Sequence, residues 1–235
     1  MRFSSIIFLI FCLLRCNTVS AQRKILNITD HDDKKYYFGI SFGMNYSTYK
    51  VNFSQSFTEH DTFKTITTRA LPGFNLGLMG NLRLSSFVDL RFVPSLAFAE
   101  KAINMQTTLG VNRDSSSDRK IEAIYMHLPL QLKFKSDRIN NFRFYAIAGG
   151  KFDIDLAANA RSRRSDEFLK VKPFDAGYEL GAGFEFYYPN FIFSPEVKLS
   201  QGLMNQQFKD SRIPLSNAID FISTRMVVIS IHLEG

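Results

Sequence analysis

Alternation with a period of two, repeated through eight segments, constrains this chain more than any other feature. In the first segment Tyr36, Phe38, Ile40, Phe42, Met44 and Tyr46 fall on one side. Tyr37, Gly39, Ser41, Gly43 and Asn45 fall on the other. Successive strand side chains point to opposite faces, so this is a ribbon with one apolar face and one small, polar face. The pattern returns over Gly73 to Leu84, Phe87 to Ala99, Ile121 to Lys135 and Phe142 to Leu156. It returns again over Phe174 to Tyr188, Phe191 to Leu203 and Ser223 to Glu234. One alternating segment is weak evidence, but a series of this length is strong.

The connections alternate too. Ser85-Ser86, Ser136 to Asn141 and Pro189-Asn190 are short and built of turn residues. Ser47 to Pro72, Lys101 to Lys120, Ala157 to Pro173 and Met204 to Asp220 are long. Short periplasmic turns and long outer loops are the arrangement of outer-membrane barrels.

Volume decides which face points inward. A barrel of about eight strands has an interior just wide enough for side chains to fill. The Phe, Leu, Ile and Met of the apolar face would overfill it at normal core density. The face of Gly, Ser, Asn and a few charges fits. The apolar face therefore meets lipid. The expected fold is all-β, an eight-stranded antiparallel up-and-down transmembrane β-barrel of the outer membrane, spanning residues 36–235. Both termini are expected in the periplasm, with residues 22–35 as a polar periplasmic segment.

Residues 1–21 read as a secretory signal. Arg2 supplies the basic start, Ile6 to Leu14 the apolar run, and Val19-Ser20-Ala21 the small cleavage residues. The run is too short for a spanning helix of about 20 residues. Cleavage before Gln22 removes both cysteines, Cys12 and Cys16. The mature chain then has no disulfide, zinc–cysteine site or cysteine nucleophile. Losing Arg2 and Arg15 lowers the net charge from +7 to +5. Nucleic acid is no partner for a secreted chain, so the basic balance points to outer-membrane lipid and lipopolysaccharide.

The inward charges are Asp89, Arg91, Lys133, Lys151, Asp153, Glu179, Glu185, Glu196 and Lys198. Buried charges need partners, and this mixed-sign set can form an ion-pair network filling the lumen. The competing reading, a selective channel, needs an aqueous path that eight strands do not leave. His127 lies mid-strand on the inward face, with no Ser or Asp partner at a recognisable spacing. His60 sits among loop acids, and His31-Asp32-Asp33 matches no metal motif. No catalytic residue, cofactor or metal is expected. Arg161, Arg163 and Arg164 form a basic loop surface suited to lipopolysaccharide or an acidic partner.

Asp89-Leu90-Arg91-Phe92-Val93-Pro94, the run Phe193 to Leu203 (FSPEVKLSQGL) and the closing stretch Ile219 to Glu234 resemble the PorT family of outer-membrane proteins, which includes PorT and SprT. The resemblance implies a non-enzymatic barrel required by the type IX secretion system. That system exports proteins carrying C-terminal sorting signals and, in gliding species, delivers motility adhesins. Other secretion-system proteins are the implied partners. The alternative is a stand-alone barrel that binds lipid or adhesive ligands through its outer loops.

Overall fold

The computed structural model describes residues 25–53, 63–108, 114–158, 170–209 and 219–235. The expected signal segment, His60 and the basic loop of Arg161, Arg163 and Arg164 lie outside the described residues. The strands are β1 (Tyr36–Phe53), β2 (Phe63–Arg83), β3 (Val88–Phe92), β4 (Ser95–Thr108), β5 (Asp114–Lys135), β6 (Phe142–Asp155), β7 (Phe174–Tyr187), β8 (Ile192–Gly202) and β9 (Ile219–Glu234). Each pairs antiparallel with its neighbours, and β1 pairs with both β2 and β9, so the sheet closes into a ring.

The third expected strand is split. β3 and β4 both lie between β2 and β5, and together they make one crossing. The break is Val93-Pro94. Proline lacks the N–H that a central ladder needs. Its carbonyl still accepts from the Leu78 N–H at 3.1 Å, which keeps the two halves in line. The wall is therefore crossed eight times.

The two faces divide by chemistry. Tyr36, Phe38, Leu78, Leu180 and Phe184 are exposed on the outside, while Tyr37, Asn45, Asn81 and Ser194 are buried inside. In water this outer belt would be a severe aggregation hazard. Under lipid, each covered Leu or Phe contributes about 1.5–3 kcal/mol. Inward glycines make room for longer neighbours. A Cβ on Gly183 would lie 2.5 Å from the Tyr145 hydroxyl, and one on Gly177 only 2.0 Å from the Gln201 carbonyl oxygen.

Two expected long loops are partly strand. β4 and β5 continue past the apolar belt and pair as far as Thr108 with Asp114. β2 starts at Phe63 and pairs along β4 there. Their polar sequences, such as Asp114 to Lys120, carry no apolar alternation that would mark them as strands. β1 also extends to Phe53, but its pairing with β2 stops at Ser47 opposite Leu71. Beyond that point β1 follows β9 and β2 follows β4, so the wall opens into a notch.

Candidate functional site

The lumen is the site the fold builds, and every inward charge read from the sequence is buried in it. Strand register brings these residues together in tiers. Nearest the short turns, Asp89 faces Lys133 across the ladder, and Arg143 faces Glu185. The Tyr37 hydroxyl donates to Asp89 at 2.7 Å, and Lys135 Nζ lies 2.8 Å from the same carboxylate. Arg143 Nη1 donates to the Tyr187 hydroxyl at 2.9 Å, which in turn donates to Glu185 at 2.7 Å.

The middle tier centres on Arg91, which is completely enclosed. It donates to Glu196 at 2.6 Å and takes the Asn81 side-chain oxygen at 3.1 Å. Glu234 lies 3.7 Å from Arg91 and 3.6 Å from Lys133, and Lys133 also pairs with Glu185. The Tyr145 hydroxyl donates to Glu196 at 2.9 Å. The Tyr145 ring lies 5.0 Å below the Arg91 guanidinium and 4.4 Å from Lys133 Nζ. Planar guanidinium and ammonium charges both gain from such a face.

Farther along, His127 sits between two carboxylates. Nδ1 meets Asp153, directly opposite on β6, and Nε2 lies 3.1 Å from Glu179 on β7. Spacing along the chain shows no Ser or Asp partner for His127. The partners come from neighbouring strands, where register rather than chain distance sets contact. Lys198 reaches Glu179 at 3.1 Å, and Lys151 reaches Asp153 at 2.6 Å. At the far rim Lys101 is fully buried, with Tyr49 and Tyr125 rings at 4.1 and 4.6 Å and the Tyr125 hydroxyl accepting from it.

Several lumen residues are not among the sequence candidates: Tyr37, Tyr49, Tyr125 and Tyr145, Lys101, Lys135, Glu234 and His232, whose Nε2 lies 3.5 Å from Glu196. The tyrosines share the parity of the polar face, which was the available signal. Their aromatic rings read as apolar, although a buried hydroxyl makes tyrosine a polar filler. Lys101 fell in what the sequence presented as loop.

The stretch expected as a polar tail is in fact a cap. Thr29–Asp33 form a single 3-10 turn beneath the barrel, with His31 buried. Its ring packs edge-on against Tyr37 at 4.5 Å and Tyr187 at 6.0 Å. Asp32 accepts from both terminal nitrogens of Arg143, at 2.9 and 3.0 Å. Such bidentate, charge-assisted pairs are among the strongest polar contacts. Arg83 donates to the His31 carbonyl at 2.9 Å. Arg138 donates to the Asn27 carbonyl and lies 3.8 Å over the Tyr187 ring. Asn27 donates from its backbone to Asn141 and from its side chain to the Tyr187 carbonyl, both at 2.9 Å. The polar sequence gives no periodic sign of this, because the cap is held by side chains from distant turns.

Burial pushes the His31 imidazole down to about 4, against the pull of Glu234 and Glu185. Burial raises the Asp32 carboxyl, but the hydrogen bond and charge of Arg143 outweigh it and hold the group below its usual value. Both groups are thus in the protonation state that docking requires near neutral pH.

The described residues hold no group of three or more His, Cys, Asp or Glu side chains arranged for a metal. The family model of outer membrane protein β-barrel domains matches residues 21–206. No curated protein matches the sequence. Among solved structures, OprG of Pseudomonas aeruginosa is 14% identical, covering 85% of this chain and 92% of its own, at a TM-score of 0.46. Ail of Yersinia pestis, in complex with the heparin analogue sucrose octasulfate, is 12% identical, covering 86% and 100%, at 0.37. The outer membrane protease OmpT of Escherichia coli is 9% identical, covering 85% and 95%, at 0.36.

Proposed function

Because the chain belongs to the outer membrane protein β-barrel family, we propose that it serves the type IX secretion system as a closed, non-enzymatic barrel that holds partner proteins at the outer membrane. One observation carries the mode of action: the lumen is filled by ion pairs and the end below it is covered by the chain's own residues 27–33. A folded cargo has no path through such a wall, so the barrel acts through its rims. Eight crossings put both ends of the barrel on one side, and the short turns mark that side as periplasmic. The cap therefore faces the periplasm, where secretion partners are reached. The secretion assignment rests on the resemblance of residues 89–94, 193–203 and 219–234 to the PorT family.

The enzymatic reading is weaker on chemical grounds. His127 has both ring nitrogens committed to carboxylates inside the lumen. A general base needs a free nitrogen aimed at a reachable proton.

Deleting the gene is expected to abolish export of proteins with C-terminal sorting signals, and the wild-type gene is expected to restore it. In a gliding species, spreading should fail as well. Affinity purification from detergent-extracted outer membrane should recover other secretion components. Normal export in the deletion strain would reject the assignment. Normal export with lost adhesion to surfaces or ligands would instead favour the stand-alone barrel acting through its outer loops.

A further inference from the structure

We propose that the notch between β1 and β2 binds the phosphate of a lipopolysaccharide headgroup, with Lys50 and Arg225 as the ligating cations. The inference rests on the outer-membrane reading and goes beyond it by placing a ligand at a particular point on the rim. Four observations converge there.

The first is depth. Thr48 pairs with Arg225 one alternation beyond the outward pair Tyr46 and Val227. Tyr46 and Val227 are exposed apolar residues of the lipid belt. At about 3.3 Å per residue, Arg225 stands about 6.6 Å and Lys50 about 13 Å beyond that pair along the strands, at headgroup level. The second is shape. Where the β1–β2 ladder ends, a cavity of about 430 Å³ opens, lined by Thr48, Tyr49, Lys50, Val51, Thr68, Ala70 and Arg225.

The third is charge. The lining holds two cations and no carboxylate. Lys50 and Arg225 are exposed, and no described residue pairs with either as an anion. The Arg225 Nε donates to the Gln201 side chain at 3.0 Å, which steadies the guanidinium, and among the described residues no side-chain bond engages its terminal nitrogens. The fourth is hydrogen-bonding capacity. Phosphate is an acceptor-rich group that suits arginine, lysine and hydroxyl donors together. Thr48 and Thr68 bring hydroxyls. The strand edges beyond Ser47 and Leu71 have left each other's ladder, and edges of this kind present backbone N–H groups.

Other anions share the phosphate chemistry, so the test separates the sources. The refolded full-length mature barrel is titrated with bisphosphorylated lipid A in a zwitterionic detergent, and bound lipid is counted by native mass spectrometry. The wild type should retain lipid A. Lys50→Gln with Arg225→Gln should lower its affinity at least about tenfold, whereas Lys50→Arg should keep it. Dephosphorylated lipid A should bind as weakly as the double variant does. Heat-modified mobility of each variant, read in parallel, confirms a folded barrel and separates loss of the site from loss of the fold. Unchanged retention by a folded double variant overturns the proposal. So does full displacement by millimolar inorganic phosphate, which would mark a site for small anions rather than for a headgroup.

Discussion

Glu196→Ala should lower the stability of the barrel by about 3–5 kcal/mol, the cost expected when one partner of a buried ion pair is removed. Arg91 is fully enclosed, and its principal counter-charge is Glu196 at 2.6 Å. Without that carboxylate the guanidinium keeps Glu234 at 3.7 Å and the Asn81 oxygen, which is too little for a desolvated charge. Tyr145 and His232 would lose their contact with Glu196 as well. The check is the urea midpoint in detergent, followed by the gel shift between folded and heat-unfolded forms. Arg91→Met combined with Glu196→Leu should recover most of the loss, because removing both charges also removes their desolvation cost. A single variant as stable as the wild type would mean that water reaches Arg91, and the lumen would then not be closed.

The second large effect is expected at the cap. His31 titrates at about 4 when docked and near 6.5 when free. The free segment therefore binds more protons between those values, and docking is favoured as pH rises through them. Docking strength is full above about pH 6.5, falls as pH drops toward 4, and loses roughly 3 kcal/mol in all. Glu234, Glu185, Arg83 and Lys133 set the field around the ring. Asp32 works in the same direction at lower pH. Its carboxyl is held below the usual value, so its share persists above that value and disappears as the group protonates.

A spin label at Ile25→Cys reports the transition. Its spectrum should be immobilised at pH 7.5 and become mobile between pH 6.5 and 4, while the strands stay folded. Arg143→Ala should mobilise the same label at pH 7.5, because it removes both hydrogen bonds to Asp32. A label equally mobile at every pH would show that residues 27–33 do not rest on the barrel.

These two sites mark the boundary of what the sequence discloses. Alternation reveals a side chain's face, because parity along a strand needs no knowledge of its neighbours. It placed Arg91, Glu179 and Lys198 inside and Phe38 and Leu180 outside. It could not reveal that His127 meets Asp153 and Glu179, since those contacts depend on the register of three strands. The cap lay further out of reach. Its hold on the barrel comes from Arg83, Arg138 and Arg143, which are remote in sequence from His31 and Asp32 and sit at the β2–β3 and β5–β6 turns. Pro94 was visible in the sequence, but a proline on a barrel wall can end a crossing or merely interrupt it. Only the ladder shared by β3 and β4 with both neighbours shows the interruption.

The most direct test of a lipid-clad wall around a closed lumen is a spin-label scan along β1, from Phe38 to Ser47, in proteoliposomes. Each position is read for collision with oxygen, which partitions into lipid, and with a water-soluble nickel chelate. Positions 38, 40, 42, 44 and 46 should collide with oxygen, and positions 39, 41, 43, 45 and 47 should be shielded from both reagents. Nickel reaching the second set would reveal an aqueous pore, and loss of the two-residue period would mean that this ribbon does not face lipid at all.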